Sequence, residues 1–322
     1  MTEITDLQLL TRALAFAAHK HKNQRRKDVE ASPYINHPIA LANLLVNEGG
    51  LTDTEILCAA LLHDTVEDTK TTAEELTEQF GASISDLVIE VTDDKNLSKA
   101  ERKELGIKHA NQLSIKAWAV KLADKTCNLR DVAENPPRDW PLKRRLEYFD
   151  WSRAVVDALP GTVWPELKVV FDQAFEKKPT AIARALEIAM DAHRGVTDKA
   201  GNPYILHPLK IMSVVDSEEE KIVAVLHDVV EDAKRKGWDF ERLEEEGFSP
   251  QVLEALRSVT INDGEDYDDF IDRAAKNPIG RKVKIADLKD NMDVTRIGEL
   301  AERDRERLNK YKRALARLTG NE

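Results

Sequence analysis

The chain has 322 residues, 42% of them hydrophobic and 33% charged, a length that accommodates two domains with a buried core each. Its net charge of −11 argues against a generic nucleic-acid binder, because a phosphate backbone calls for a basic surface. No stretch approaches the roughly 20 apolar residues a membrane span needs, and Met1-Thr2-Glu3 lacks a signal peptide's basic-then-apolar pattern, so a cytoplasmic protein without membrane association is expected.

In chain order, the 3.6-residue apolar period predicts helices over residues 7–20, 38–48, 53–63, 72–80, 82–92, 115–132, 142–159 and 164–177. Thr52 or Asp53 precedes the third as a cap, Asp139 lies near the start of the seventh, and Gly49-Gly50 comes after the second. Pro38 falls at the first position of its helix, where a missing amide costs nothing. The alternating pattern of strands is nearly absent, so the expected fold class is all-α. Cys58 and Cys127 sit in apolar helical patterns and read as reduced core residues. The eighth helix stops near Lys177-Lys178-Pro179, and Thr180 then caps a new one over residues 181–193.

The chain beyond Pro179 repeats the motifs of the chain before it. Pro33-Tyr34-Ile35-Asn36-His37-Pro38 recurs as Pro203-Tyr204-Ile205-Leu206-His207-Pro208. His63-Asp64-Thr65-Val66-Glu67-Asp68 recurs as His227-Asp228-Val229-Val230-Glu231-Asp232, and Lys121-Leu122-Ala123-Asp124 with Asn128 recurs as Lys284-Ile285-Ala286-Asp287 with Asn291. Three motifs repeated in order indicate two homologous domains, 1–178 and 179–322, each a helical bundle.

Each repeat carries one constellation. His37 stands at a helix start, His63 and Asp64 end a strongly apolar helix, and Asp124 interrupts an apolar turn. A carboxylate buried there needs a partner, and a metal is one such partner. Two histidines with two carboxylates form a mixed nitrogen–oxygen set that suits Mn²⁺, Fe²⁺ or Zn²⁺ better than a structural thiolate site does. Four protein ligands on an octahedral ion leave positions open for water and substrate, as hydrolysis requires. Glu67 and Asp68, four residues beyond His63 and Asp64, extend the same face and can deprotonate water. Acidic residues at a helix C-terminus oppose its dipole, which favours a functional reading for them. Asn128 lies one turn after Asp124, and Arg25, Arg26 and Lys27 place positive charge shortly before His37, where guanidinium groups can clamp phosphate oxygens.

The His…His-Asp…Asp order resembles the HD phosphohydrolase superfamily. Within it, Gln24-Arg25-Arg26-Lys27-Asp28, Pro-Tyr-Ile-Asn-His-Pro, His-Asp-Thr-Val-Glu-Asp-Thr, Val-Thr-Asp-Asp-Lys and Lys-Leu-Ala-Asp-Lys are similar to the small alarmone hydrolases. These are free-standing relatives of the hydrolase half of RelA/SpoT enzymes, and the likeness spans residues 5–178. It implies a Mn²⁺ enzyme that removes the 3′-pyrophosphate of (p)ppGpp, a small-molecule nucleotide substrate. Catalytic roles are implied for Glu67 and Asp68, a ribose or water contact for Asn128, and nucleotide contacts for Arg144 and Tyr148, with Lys95 and Lys99 as weaker candidates. Resemblance to NADPH 2′-phosphatases keeps that reaction as an alternative, and a nucleotide sensor with a regulatory second half is another. Two HD units use up the chain, so no synthetase module is expected.

The second repeat keeps His207, His227, Asp228 and Asp287 as metal ligands, and Glu231, Asp232 and Asn291 as catalytic candidates. Its clamp is altered: Arg25-Arg26-Lys27 aligns with Thr197-Asp198-Lys199. A pocket with fewer cations suits a less charged phosphoester, or a regulatory or structural role. His21 and His193 align at helix ends and read as core or positioning histidines rather than ligands.

Overall fold

In the computed structural model, which describes residues 4–137, 139–159, 163–233, 236–293 and 302–320, the ordered elements are helical. Among the described residues there is no strand, only the isolated bridges Arg25 to Pro33 and Thr197 to Pro203. Two compact units emerge: Met1–Trp140 with Arg144–Lys178, and Pro141–Lys143 with Pro179–Glu322. No described helix is long and apolar enough to cross a membrane.

In the first unit the helices run α1 (Asp6–Lys20), α2 (Asn36–Asn47), α3 (Thr54–Leu62), α4 (Thr65–Asp68), α5 (Ala73–Phe80), α6 (Ala82–Val91), α7 (Lys99–Lys108), α8 (Ile115–Glu134), α9 (Leu142–Asp157) and α10 (Pro165–Glu176). The helix α3 is apolar on every side, with Ile56 through Leu62 all buried, so it is driven to the centre. There it packs against α1, α2, α6 and α8. Each fully buried leucine or isoleucine of that run contributes about 1.5–3 kcal/mol by leaving water. The second unit repeats the plan with α11 (Ala181–Ala192), α12 (Leu206–Ser213), α13 (Glu218–Leu226), α14 (Val229–Asp232), α15 (Phe240–Glu246), α16 (Pro250–Val259), α17 (Tyr267–Lys276), α18 (Pro278–Asn291) and α19 (Glu302–Thr319). Its buried α13 packs against α11, α12, α16 and α18.

The eight helices expected before Pro179 form within two residues of their predicted ends, as does the one expected over residues 181–193. One open choice is resolved and three details differ. Asp53, not Thr52, caps α3, its carboxylate accepting from Glu55 and Ile56 backbone amides at 2.9 and 3.2 Å. Asp139 lies three residues before α9, too far to cap it. Pro38 is the third residue of α2, because amide bonds from Asn36 to Pro33 O and His37 to Tyr34 O start the helix early. It still falls within the first turn, where the missing amide is harmless. The last is an element without a pattern: α7 has no buried residue, so no apolar period marks it, although Ser98 and Glu101 form a capping box.

Cys58 and Cys127 are buried and unpaired, and burial pushes both thiols up to about 12. Neither should react with a disulfide reagent in the native protein near pH 8, and both should react after denaturation. Rapid native labelling of either would contradict the packing described for α3 and α8.

Candidate metal centre

The apolar α3 ends at Leu62 because the chain turns at His63 and Asp64 before the one-turn helix α4 resumes. That break places two polar side chains at the inner end of the most buried helix. The His63 Nδ1–H donates to Ala60 O at 2.9 Å, which fixes the tautomer and leaves Nε2 facing inward. That Nε2 is buried, lacks a hydrogen-bond partner, and lies 3.0 Å from Asp64 Oδ2. From α2, His37 Nε2 comes within 3.2 Å of Asp124 Oδ1 on α8, and Asp124 is 4.0 Å from His63 Nε2. The His37 and His63 rings are 5.4 Å apart.

Ligand atoms of His37, His63 and Asp64 all lie within 4.8 Å of one another, with Asp124 on their edge. Two nitrogens and two carboxylates converging on one point, with an orphaned buried nitrogen among them, fit a divalent cation. Without one, the charges balance through protons. Burial would push His63 down, but Asp64 and Asp124 overcome it and hold the imidazole up at about 9. Asp64 and Asp124 are held well below the usual carboxylate range: burial opposes this, but His63 outweighs it at Asp64, and Lys125 and His37 outweigh it at Asp124.

Around this centre a ring of partners sets the carboxylates. Tyr34 donates its hydroxyl to Asp64 Oδ2 at 2.6 Å, Lys125 reaches Asp124 Oδ2 at 2.9 Å, and Asn128 donates to Asp124 Oδ1 at 2.5 Å. Neither Tyr34 nor Lys125 is among the site residues expected from the sequence. The signal for Tyr34 lies in the repeated Pro-Tyr-Ile string; Lys125 has no counterpart at that position in the second repeat. His21 stacks on Tyr34 at 4.8 Å, away from the ligand atoms.

Glu67 and Asp68 reach the same centre, but not as the end of a continuous helix. They lie in the first turn of α4, so no unfavourable helix dipole marks them, and their position beside the ligands is what ties them to the site. The Glu67 carboxylate accepts from Asp93 N at 3.4 Å, and burial with nearby Asp93 and Asp64 raises it. Asp68 pairs with Lys95, and its carbonyl accepts from Gln24 Nε2 at 2.6 Å.

The cluster sits at the floor of a cavity of about 190 Å³ that shares Arg26, Tyr34, Asp68 and Asn128 with a second of about 650 Å³. Arg25, Arg26, Lys27 and Tyr148 line the larger one. Arg26 is ion-paired with Asp131 and lies 5.9 Å over the Tyr34 ring, whereas Arg25 donates to its own loop at Lys22 O and Gln24 O. Arg144 is set back, its guanidinium 4.3 Å over Trp140, which lines the cavity itself. Arg144, expected from the sequence to contact a nucleotide, is thus not itself among the residues that line the cavity. Lys99, which lines neither cavity, is lowered by its own burial and by Arg144, Lys103 and Lys27 close by.

The second unit repeats the centre. His227 Nδ1–H donates to Ala224 O at 2.8 Å, His227 Nε2 is 3.0 Å from Asp228 Oδ2, and His207 Nε2 is 3.3 Å from Asp287 Oδ1. Tyr204 donates to Asp228 and Asn291 to Asp287, each at 2.5 Å. The His193 ring lies tilted against Tyr204, centroids 4.9 Å apart, and Glu231 accepts from Ile261 N at 2.8 Å. Asp232 is next to Glu231 in the first turn of α14.

Residues 13–147 match the model of an HD domain family. The chain is 55% identical over 158 residues to the guanosine-3′,5′-bis(diphosphate) 3′-pyrophosphohydrolase MESH1 of Xenopus tropicalis, covering 49% of this chain and 88% of that protein. To the enzyme of the same name from Homo sapiens it is 54% identical, covering 48% and 86%. A solved structure, described as a metazoan ortholog of SpoT that hydrolyzes ppGpp, is 45% identical with a TM-score of 0.51, covering 52% of this chain and 94% of that one.

Replacing Asp124 with Ala should leave helix content intact while lowering the divalent cation retained after dialysis by one equivalent per chain. Tyr34→Phe should weaken binding about 10-fold, since a removed outer hydrogen bond typically costs ~10–100-fold in affinity. Metal analysis and calorimetric titration read both; unchanged retention in Asp124→Ala would contradict the ligand set.

Proposed function

The chain belongs to the family of guanosine-3′,5′-bis(diphosphate) 3′-pyrophosphohydrolases, and from that premise we propose that its first unit hydrolyses the 3′-pyrophosphate of (p)ppGpp to GDP or GTP plus pyrophosphate. The observation that carries the reading is the continuity of the His37–His63–Asp64–Asp124 cluster with a cavity lined by Arg25, Arg26 and Lys27. A substrate bearing two diphosphates needs a cation for its reacting phosphoryl group and further positive charge for the rest.

Mn²⁺ is the cation proposed, with His37, His63, Asp64 and Asp124 as its ligands. When bound, such an ion supplies Lewis acidity toward phosphoryl oxygen and makes water acidic enough to attack at neutral pH. The chain does the rest. Glu67, raised by burial and by its acidic neighbours, is suited to take the proton from water. Asp68 aligns the opposite side of the site through Lys95 and Gln24. Asn128 holds Asp124 and stands at the mouth shared by the two cavities, where it can reach a ribose oxygen. Arg26 and Lys27 orient the diphosphates, and the Tyr148 ring, 5.6 Å from both Trp140 and Trp151, offers an aromatic face to the base.

Residues 179–322 form, on this reading, a second HD domain with its own cation at His207, His227, Asp228 and Asp287. Two buried, unpaired cysteines accord with a reducing, cytoplasmic setting.

A panel of ppGpp, pppGpp and NADPH with Mn²⁺, with products identified chromatographically, tests the assignment. Pyrophosphate release from ppGpp supports it; phosphate release from NADPH alone would favour the 2′-phosphatase reading, and binding without turnover a sensor. Asp64→Ala should lose activity together with its cation. Arg26→Glu should keep the cation and raise KM for ppGpp about 10-fold or more, because a charge-assisted phosphate contact becomes a repulsion. Full activity of Asp64→Ala would sink the scheme.

A further inference from the structure

The two units share a centre but not a wall. The loops before the first ligand share a backbone bond: Arg26 N bonds Ser32 O at 2.8 Å as Asp198 N bonds Asn202 O at 2.8 Å, so Asp198 stands at the backbone position of Arg26. Its carboxylate accepts from Ala200 N and Asn202 N at 2.9 and 2.8 Å, which holds it on the loop beside the cavity. That cavity measures about 290 Å³ and is lined by Thr197, Asp198, Lys199, Tyr204, His207 and Arg307, among others.

Arg307 comes from the last helix, α19. With Tyr311 it repeats the Arg144–Tyr148 pair at the same 163-residue offset that relates Asp124 to Asp287. Unlike Arg144, it lines its cavity directly. Its Nε is buried without a hydrogen-bond partner, and its Nη2 lies 3.6 Å from Asp304 Oδ1. A guanidinium that lines the same cavity as His207 and Asn291 is a receptor for one phosphoryl group. A second addition separates the sites. His207 Nδ1 is 2.7 Å from Asp290 Oδ2, where the first unit has Cys127 at the matching position and His37 Nδ1 is unpartnered. A carboxylate behind a ring nitrogen fixes the tautomer and turns Nε2 toward a cation.

We propose that residues 179–322 carry an independent hydrolytic site for a phosphomonoester on a nucleoside-sized alcohol, with Arg307 receiving the phosphate and Asp198 rejecting a second one. This rests on the reading that His207, His227, Asp228 and Asp287 hold a divalent cation. The cavity is less than half the size of its larger counterpart and holds one such ligand. In the reaction the oxygen of water bonds to phosphorus, and the ester P–O bond breaks with its electron pair on the alcohol oxygen. One water proton passes by way of Glu231 to that oxygen, and the alcohol and inorganic phosphate leave.

The test uses the full chain with Mn²⁺, and 5′-AMP, 5′-GMP, 3′-AMP and ppGpp as probes. Phosphate release from a mononucleotide should persist in Asp124→Ala and fall by about 100-fold in Asp287→Ala, while pyrophosphate release from ppGpp does the reverse. Unchanged helix content and thermal unfolding of the second unit in Asp287→Ala show that the variant is folded. Arg307→Ala should raise KM for the mononucleotide about 10-fold with kcat little changed, and Arg307→Lys should restore part of the loss. Two equivalents of bound Mn²⁺ with no mononucleotide turnover overturn the inference alone; a single equivalent, lost in Asp124→Ala, overturns the reading beneath it. Loss of mononucleotide turnover in Asp124→Ala, or an unchanged KM in Arg307→Ala, overturns it as well.

Discussion

Two carboxylates held against two imidazoles at the inner end of a buried helix are the constraint on which each unit is built. Asp64 and Asp124 are mostly shielded from water, and both approach His63 Nε2, at 3.0 and 4.0 Å, so their like charges oppose one another. They stay ionised because His63, His37 and Lys125 surround them. A divalent cation held there by His37, His63, Asp64 and Asp124 would satisfy the same carboxylates and take the imidazoles as neutral donors. The hydrogen bonds from Tyr34 and Asn128, and the one accepted by the Ala60 carbonyl, all act to aim these ligands rather than to neutralise them.

The helices that enclose the centre arise from the same demand. A helix whose last turns are apolar on every face can end deep in a bundle, as α3 does from Ile56 and α13 from Ile222. Their burial brings the His-Asp pair inward, and α2 and α8, or α12 and α18, supply the remaining ligands from the sides. The Tyr34–Asp64 and Tyr204–Asp228 bonds tie the preceding loop to the centre, so the loop that carries Arg25, Arg26 and Lys27 is positioned by the cluster itself.

Much of this is legible in the sequence, for physical reasons. Apolar periodicity marks helices that bury a face, so α1, α3, α8 and α11 are readable, while α7, with nothing buried, is not. The ligand set is visible because the chain states it twice, and one unit checks the other. Partners defined by direction escape pattern alone. The roles of Lys125 and Lys284, one residue after Asp124 and three before Asp287, depend on which way a helix face turns. The same holds for Asp290 behind His207 and for Arg307, brought to its cavity by a helix distant in sequence. The break between α3 and α4 is likewise invisible, and it changes the reason for trusting Glu67 and Asp68 without removing them from the site.

An anomalous difference map from crystals of the full chain grown with Mn²⁺ tests the metal centre most directly. One peak is expected within bonding distance of His37, His63, Asp64 and Asp124, and a second among His207, His227, Asp228 and Asp287. A map with no peak at the first cluster, at saturating Mn²⁺, would contradict the ligand set on which the proposed hydrolysis depends.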